Sequence, residues 1–286
     1  MVERVQKQYW DRSWEAETRL PETFDPTVPG LRGLFRRPFH AFFVEHLPAI
    51  APPGASLIEV GCGRSQLLPY FAKQFGLRVA GLDYSEVGCE KARRILQRDG
   101  VDGEIRCADL FDAAAVPATG FDVVFSFGLV EHFEDTAGIV RALARYATPG
   151  GSVLTLIPNM RGAVGAMQKL LSRTIYDIHV PLSAAALTQA HVDAGLTVRA
   201  SGYVLPAHFG VCNPGTGPDP RGWSPQLRGL AYRGAIAAST GVLWIDERLV
   251  RVPKSELLSP YAFVLATRGT QDSVETNARG EDKRAT

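Results

Sequence analysis

Ser56-Leu57-Ile58-Glu59-Val60-Gly61-Cys62-Gly63-Arg64-Ser65 is the stretch that decides the fold, and Gly81-Leu82-Asp83 completes it, with Asp83 lying 20 residues past Gly63. Ser56 to Val60 is a short apolar run that meets two glycines, which predicts a buried strand, a tight turn and a helix starting near Ser65. Glycines let the backbone turn sharply and approach a bound nucleoside where any Cβ would collide with it. A second apolar strand, Leu77 to Leu82, then brings Asp83 to a point where its carboxylate can accept both ribose hydroxyls. The pair predicts a nucleoside site on a doubly wound, mostly parallel α/β sheet.

A dinucleotide fingerprint would need a third small residue at position 66, and Gln66 stands there with Arg64 before it. Glu59, ending the first strand, suits a sulfonium or ammonium better than a pyrophosphate. On these residues the chain resembles the class I S-adenosylmethionine-dependent methyltransferases of small-molecule type. Their first motif, an acid followed by G-x-G-x-G, reads here Glu59-Val60-Gly61-Cys62-Gly63-Arg64-Ser65, with Ser65 replacing the last glycine. Cys107-Ala108-Asp109-Leu110-Phe111 matches the segment whose aspartate binds the adenine amino group. Phe121 to Ser126 matches the fourth strand, and Pro149-Gly150-Gly151 the turn into the fifth, Ser152 to Ile157. The resemblance covers residues 57–157 and hardly touches the N-terminal segment or the late insertions.

The resemblance implies a seven-stranded Rossmann-like methyltransferase sheet whose seventh strand is antiparallel beside the fifth. It implies S-adenosyl-L-methionine as cofactor, S-adenosyl-L-homocysteine as product, and no metal. Glu59, Gly61, Cys62, Gly63, Asp83, Tyr84, Asp109, Leu110 and Phe127 become the cofactor-binding residues. Tyr9 and Trp14 join them if an aromatic N-terminal helix closes over the site, since aromatic faces attract a sulfonium. Each has a plainer reading: Glu59 as a strand-end acid on backbone amides, Asp83 as a helix cap, Asp109 as a turn former, Tyr84 and the N-terminal rings as packing.

The rest of the chain is read as a 1–54 helical extension, a 55–267 methyltransferase domain and a 268–286 disordered tail. Insertions at 158–182 and 204–260 interrupt the domain, and the long one is expected to be a substrate lid. A segment near Pro38 to Leu47 precedes the first strand. Ser85 and Asp135 are expected helix caps, with Ile139, Val140, Leu143 and Ala147 on the inner face of the second of these helices. Leu196 to Tyr203 and Tyr261 to Thr267 read as the last two strands. Ala231 to Ile245 is too short and too interrupted to span a bilayer and reads as a buried or interfacial helix.

Of the 286 residues, 45% are apolar and 21% charged, with a net charge of +1; nothing here draws nucleic acid or an anionic membrane. Ser126-Phe127-Gly128-Leu129 stands where a nucleic-acid methyltransferase would carry Asn-Pro-Pro-aromatic. A small-molecule acceptor, no stable membrane association and a monomer or homodimer are therefore expected. Four cysteines without zinc spacing, three inside predicted core elements, point to a reducing setting. Together with polar first residues lacking a leader-like apolar run, they predict a cytoplasmic protein.

Methyl transfer from a sulfonium is an in-line displacement, so alignment supplies most of the acceleration. A hydroxyl acceptor also needs a base, whereas a thiolate does not. His132, after the fourth strand, and His179, in Tyr176-Asp177-Ile178-His179-Val180-Pro181, are the catalytic candidates, with Asp177 or Tyr176 to orient the latter. Packing is the alternative for His132 and a turn cap for His179. His208 ranks behind them; His191 reads as packing, and His40 and His46 carry no supporting context. Expected is O-methylation of a small organic acceptor. The alternatives are transfer to sulfur, nitrogen or carbon, or a non-methylating S-adenosylmethionine binder. Tyr9-Trp10-Asp11-Arg12-Ser13-Trp14 is faintly similar to thiol methyltransferases.

Overall fold

A computed structural model describes residues 3–215 and 224–270, so the expected tail lies outside the described residues from 271 on. The chain opens with α1 (Lys7–Ala16) and α2 (Gly30–His46), then enters the sheet at β1 (Ser56–Val60). There follow α3 (Leu67–Phe75), β2 (Arg78–Asp83), α4 (Glu86–Arg98), β3 (Gly103–Cys107), β4 (Phe121–Phe127), α5 (Thr136–Ala144) and β5 (Ala147–Pro158). The rest comprises α6 (Ala163–Leu171), α7 (Arg173–Asp177), α8 (Ala184–Asp193), β6 (Leu196–Val204), α9 (Pro225–Arg248) and β7 (Tyr261–Arg268).

The seven strands form one sheet in the order β3-β2-β1-β4-β5-β7-β6. β1 to β5 pair in parallel. β7 runs antiparallel between β5 and β6. The family resemblance implied that arrangement. Strand order reverses between β1 and β4, which opens a crevice at their carboxyl ends. β1 is buried from Leu57 to Val60 because helices cover both faces of the sheet. The expected caps form: Ser85 Oγ accepts from Gly88 N–H at 3.0 Å and Asp135 Oδ1 from Gly138 N–H at 2.8 Å.

α2 is part of the core. Phe43 is fully buried, with the rings of Phe42, Phe71, Tyr70 and Phe125 at 4.9–6.0 Å. The helix starts at Gly30, well before the expected Pro38, and carries Pro38 inside it. The missing proline N–H weakens one turn, and burial of Leu34, Phe42 and Phe43 outweighs that.

Four local expectations are corrected. Ala147 begins β5 instead of lining α5. Gly150, at φ +80°, makes an irregularity inside β5 and not a turn ahead of it, so that Phe121 pairs Ala147 while Val123 pairs Ser152. Cys107 is exposed because β3 is an edge strand, and Cys212, from the insertion, is buried instead. The helix after the glycines begins at Leu67, not Ser65. α9 contains the Ala231–Ile245 stretch, with Leu243 buried, Trp244 51% exposed, and Glu247 paired to Arg37 of α2 at 2.8 Å. Among the described residues no helix is long and apolar enough to cross a membrane.

Phe43→Ala is expected to remove about 3–5 kcal/mol of unfolding free energy, because the surrounding rings cannot close the void. Urea unfolding followed by circular dichroism measures it, and a loss below about 1 kcal/mol would contradict a core role for α2.

Candidate active site

A cavity of about 400 Å³ opens at the carboxyl ends of β1, β2 and β4, in the size range of small-ligand sites. Glu59, Gly61, Gly63, Asp83, Tyr84, Asp109, Leu110, Phe127, Trp14 and His132 all line it. Cys62, Tyr9 and His179 are not among its walls. Cys62 is buried beneath Gly81, whose added Cβ would lie 2.5 Å from the Cys62 sulfur. Tyr9 is 37% exposed, and its neighbour Trp10 faces the cavity in its place. Among the described residues, every one that lines it comes from positions 3–133, with none from 158–182, 204–215 or 224–260.

The glycine turn is shaped by backbone chemistry. Gly61 sits at φ +80°, where a side chain is strained. A Cβ on Gly63 would come within 3.0 Å of both Asp83 Oδ2 and Trp14 Nε1. Gly63 N–H donates to Asp83 Oδ2 and Ser85 N–H to Asp83 Oδ1, both at 2.8 Å. Asp83 thus ties the turn to β2, yet each oxygen keeps a lone pair for a further donor. Burial raises its pKa despite those two amides.

Glu59 is 4% exposed, and burial pushes its carboxyl up to about 8. The Ser65 hydroxyl donates to Glu59 Oε2 at 2.5 Å and accepts from Leu67 N–H at 3.0 Å. The serine that replaces the motif's last glycine therefore holds the acid and starts α3. Burial thus favours the protonated form of Glu59, and an arriving cation is what would favour the carboxylate.

The N-terminal segment straps this turn. Tyr84 donates to Glu3 at 2.7 Å, Ser85 donates to Asp11 at 2.6 Å, and Lys91 donates to the carbonyls of Trp14 and Glu17. Arg64 pairs with Glu17 and lies 5.3 Å from the Trp14 ring. Trp10 stacks on Trp14 at 5.7 Å and meets His132 edge-on at 5.1 Å. The spacing of these tryptophans on one helix face was the available signal for Trp10. Phe24, between Pro21 and Pro26, and Phe39, from α2, also line the cavity, and no motif marks either.

His132 is 3% exposed, and its ring lies 4.8 Å from that of His179. Nδ1 of His132 is 2.9 Å from the Ile178 carbonyl, and Nδ1 of His179 is 2.7 Å from that of Ile175. A carbonyl only accepts, so each ring carries its proton on Nδ1 and leaves the Nε2 lone pair free. Burial lowers both pKa values, that of His132 to about 3 with His179 adding to the fall. Backbone carbonyls, not Asp177 or Tyr176 side chains, orient His179: Asp177 pairs with Arg173 at 2.7 Å, and Lys169 lies over the Tyr176 ring. His208 packs on Phe35 at 4.2 Å, outside the cavity. His191 is buried between Thr155 and the Leu187 carbonyl, a packing position.

A family model described as a methyltransferase domain matches residues 58–155. The ubiquinone biosynthesis O-methyltransferase of Thiobacillus denitrificans is 34% identical over 151 residues, 50% of this chain and 65% of that protein. The protein of the same name from Stutzerimonas stutzeri is 31% identical over 158 residues, 52% of this chain and 68% of that one. Across four such relatives the match spans 48% to 68% of their own length. The geranyl diphosphate C-methyltransferase of Streptomyces coelicolor A3(2) superposes with a TM-score of 0.58 at 14% identity, covering 92% of this chain and 98% of that one, a likeness of fold. Sequence relatives and sheet agree: the chain belongs to the class I S-adenosylmethionine-dependent methyltransferases.

Proposed function

We propose that the protein transfers a methyl group from S-adenosylmethionine to a hydroxyl oxygen of a small organic acceptor. One observation carries the reading: the cavity that holds the glycine turn, Glu59 and Asp83 is also lined by His132, whose Nδ1 is engaged by the Ile178 carbonyl. The named activity of the relatives, O-methylation, supports oxygen as the acceptor atom.

In this reading the open lone pairs of Asp83 take the ribose hydroxyls, Asp109 and the Leu110 backbone hold the adenine, and Tyr84 and Phe127 pack against the bound nucleoside. Glu59 faces the methionine ammonium, and Cys62 shapes the turn from below. Trp14 and Trp10 exclude water, which strengthens the electrostatics inside. Bound S-adenosylmethionine supplies an electrophilic methyl group on sulfur. His132, with His179 behind it, receives or draws off the proton of the hydroxyl through Nε2. Tyr9 helps to hold the aromatic strap. The similarity of Tyr9-Trp10-Asp11-Arg12-Ser13-Trp14 to thiol methyltransferases supports transfer to sulfur as the second reading.

His132→Ala is expected to lower kcat toward a phenol or catechol roughly 10²–10⁴-fold and to leave adenosylhomocysteine affinity within about threefold. Single-turnover assays on paired phenol and thiol acceptors read this, and undiminished turnover of the phenol would reject oxygen transfer assisted by this histidine. Asp83→Ala is expected to weaken adenosylhomocysteine binding by roughly 30-fold or more, since charge-assisted hydrogen bonds contribute about 1.5–3 kcal/mol. Titration calorimetry with equal affinity for both proteins would remove Asp83 from the site.

Glu59 sets a pH dependence whose sign is fixed. Free, it is protonated below about 8; a facing cation lowers that pKa, so binding releases a proton near pH 7. Affinity should therefore rise with pH, by up to about tenfold per unit, and level off above about 8. Asp83, also raised by burial, acts in the same direction. Calorimetry in buffers of differing ionisation enthalpy should show up to one proton released by the wild type and markedly fewer by Glu59→Gln. Equal release by both would mean that Glu59 does not face the ligand's cation.

A further inference from the structure

Glu131, His132 and His179 bring one carboxylate and two imidazoles together, with their ligand atoms within 4.8 Å of one another. Glu131 Oε1 lies 3.8 Å from His132 Nε2, too far for a hydrogen bond. Glu131 is 1% exposed, and its Oε2 is buried without a hydrogen-bond partner among the described residues. His132 and His179 spend their Nδ1 protons on the carbonyls of Ile178 and Ile175, so both free lone pairs belong to Nε2. With Glu131 as the carboxylate, three acceptors converge in a buried place with no donor among them. Buried acceptors in this state are costly unless a cation or a proton joins them.

We propose that Glu131, His132 and His179 form a binding site for one divalent transition-metal ion of the zinc type. Two imidazoles and one carboxylate are the protein ligands of a three-ligand zinc centre, which leaves a fourth position open. Nδ1–H bonded to backbone carbonyls is the outer-shell arrangement that fixes ligating histidines. Bonds of about 2.0–2.2 Å place tetrahedral ligand atoms roughly 3.4 Å apart, so the ion draws the three groups inward by about an ångström. The scaffold is stiff enough to hold them: Val180 N–H donates to the Glu131 carbonyl at 2.6 Å, Arg4 N–H to the His132 carbonyl at 2.8 Å, and the Arg4 side chain to the His179 carbonyl at 2.9 Å. No metal is expected from the sequence, and this site departs from that expectation.

The site adjoins the cavity through His132. Its role there rests on the oxygen-transfer reading, although its existence does not. With Nε2 spent on the ion, His132 would no longer take the proton itself, and a hydroxyl at the open position would give its proton to solvent instead. The resulting oxyanion takes the methyl group, and the sulfur keeps the electron pair of the broken bond as the neutral thioether.

Elemental analysis of the purified full chain, with zinc and cobalt(II) titration of the chelator-treated protein, tests the proposal. Expected are about one equivalent of a transition metal per chain, visible cobalt absorption of a four-coordinate site, and a Tm rise of roughly 5 °C at a hundredfold excess of zinc over Kd. Glu131→Gln and His179→Gln should each weaken zinc binding at least about tenfold while adenosylhomocysteine binding persists, which shows that they fold. Less than about a tenth of an equivalent with no cobalt signal and no Tm rise would overturn the site. Equal zinc affinity in wild type and both folded variants would overturn it too. Metal bound without methyl transfer to any hydroxyl would reject the oxygen reading and leave the site standing.

Discussion

Carboxylates withdrawn from water without a basic partner are the constraint around which this active end of the sheet is built. Glu59 is held by a serine hydroxyl, Asp83 by two backbone amides, and Glu131 has only a histidine at 3.8 Å. None of these offsets the loss of hydration, so burial pushes Glu59 and Glu131 up to about 8 and raises Asp83 as well. Such a place is poised for positive charge. A sulfonium, an ammonium or a metal ion gains there what a neutral ligand does not, because attraction strengthens where water is absent.

That constraint depends on the sheet. The strand ends at β1, β2 and β4 deliver Glu59, Asp83 and, one turn later, Glu131 and His132 to the same edge. Helices on both faces keep those ends dry, and α2 contributes through the Phe43 cluster while Phe39, on the same helix, reaches the cavity wall. Stability and site shape are therefore linked through one helix.

The motifs were legible in the sequence because their physics is local. Two glycines after an apolar run, and an acid after the next, need only the neighbouring strands to form. Ser85 and Asp135 were legible as caps for the same reason. Pro38 misled because its local cost is visible along the chain, whereas the aromatic packing that overrides it comes from α3 and β4, far away in sequence. Trp10 and Tyr9 are adjacent, and only the docking of α1 on α4 decides which ring turns inward. The orientation of His179 was equally hidden: a backbone carbonyl holds it, and backbone groups leave no signature in side-chain spacing.

Coupling between the strap and Asp83 follows from shared hydrogen bonds. Ser85 donates its N–H to Asp83 and its hydroxyl to Asp11, while Tyr84, next to both, donates to Glu3. Arg64, inside the glycine turn at φ +52°, is tied to Glu17 and covers Trp14. The strap therefore grips the same backbone that places Asp83 and Gly63. Groups within one such network do not contribute additively, so ordering the strap and fixing Asp83 belong to one energetic unit. His132 joins that unit through Trp10, whose ring touches the histidine and stacks on Trp14. Residues 3–17 are then as much a part of the site as the motif they cover.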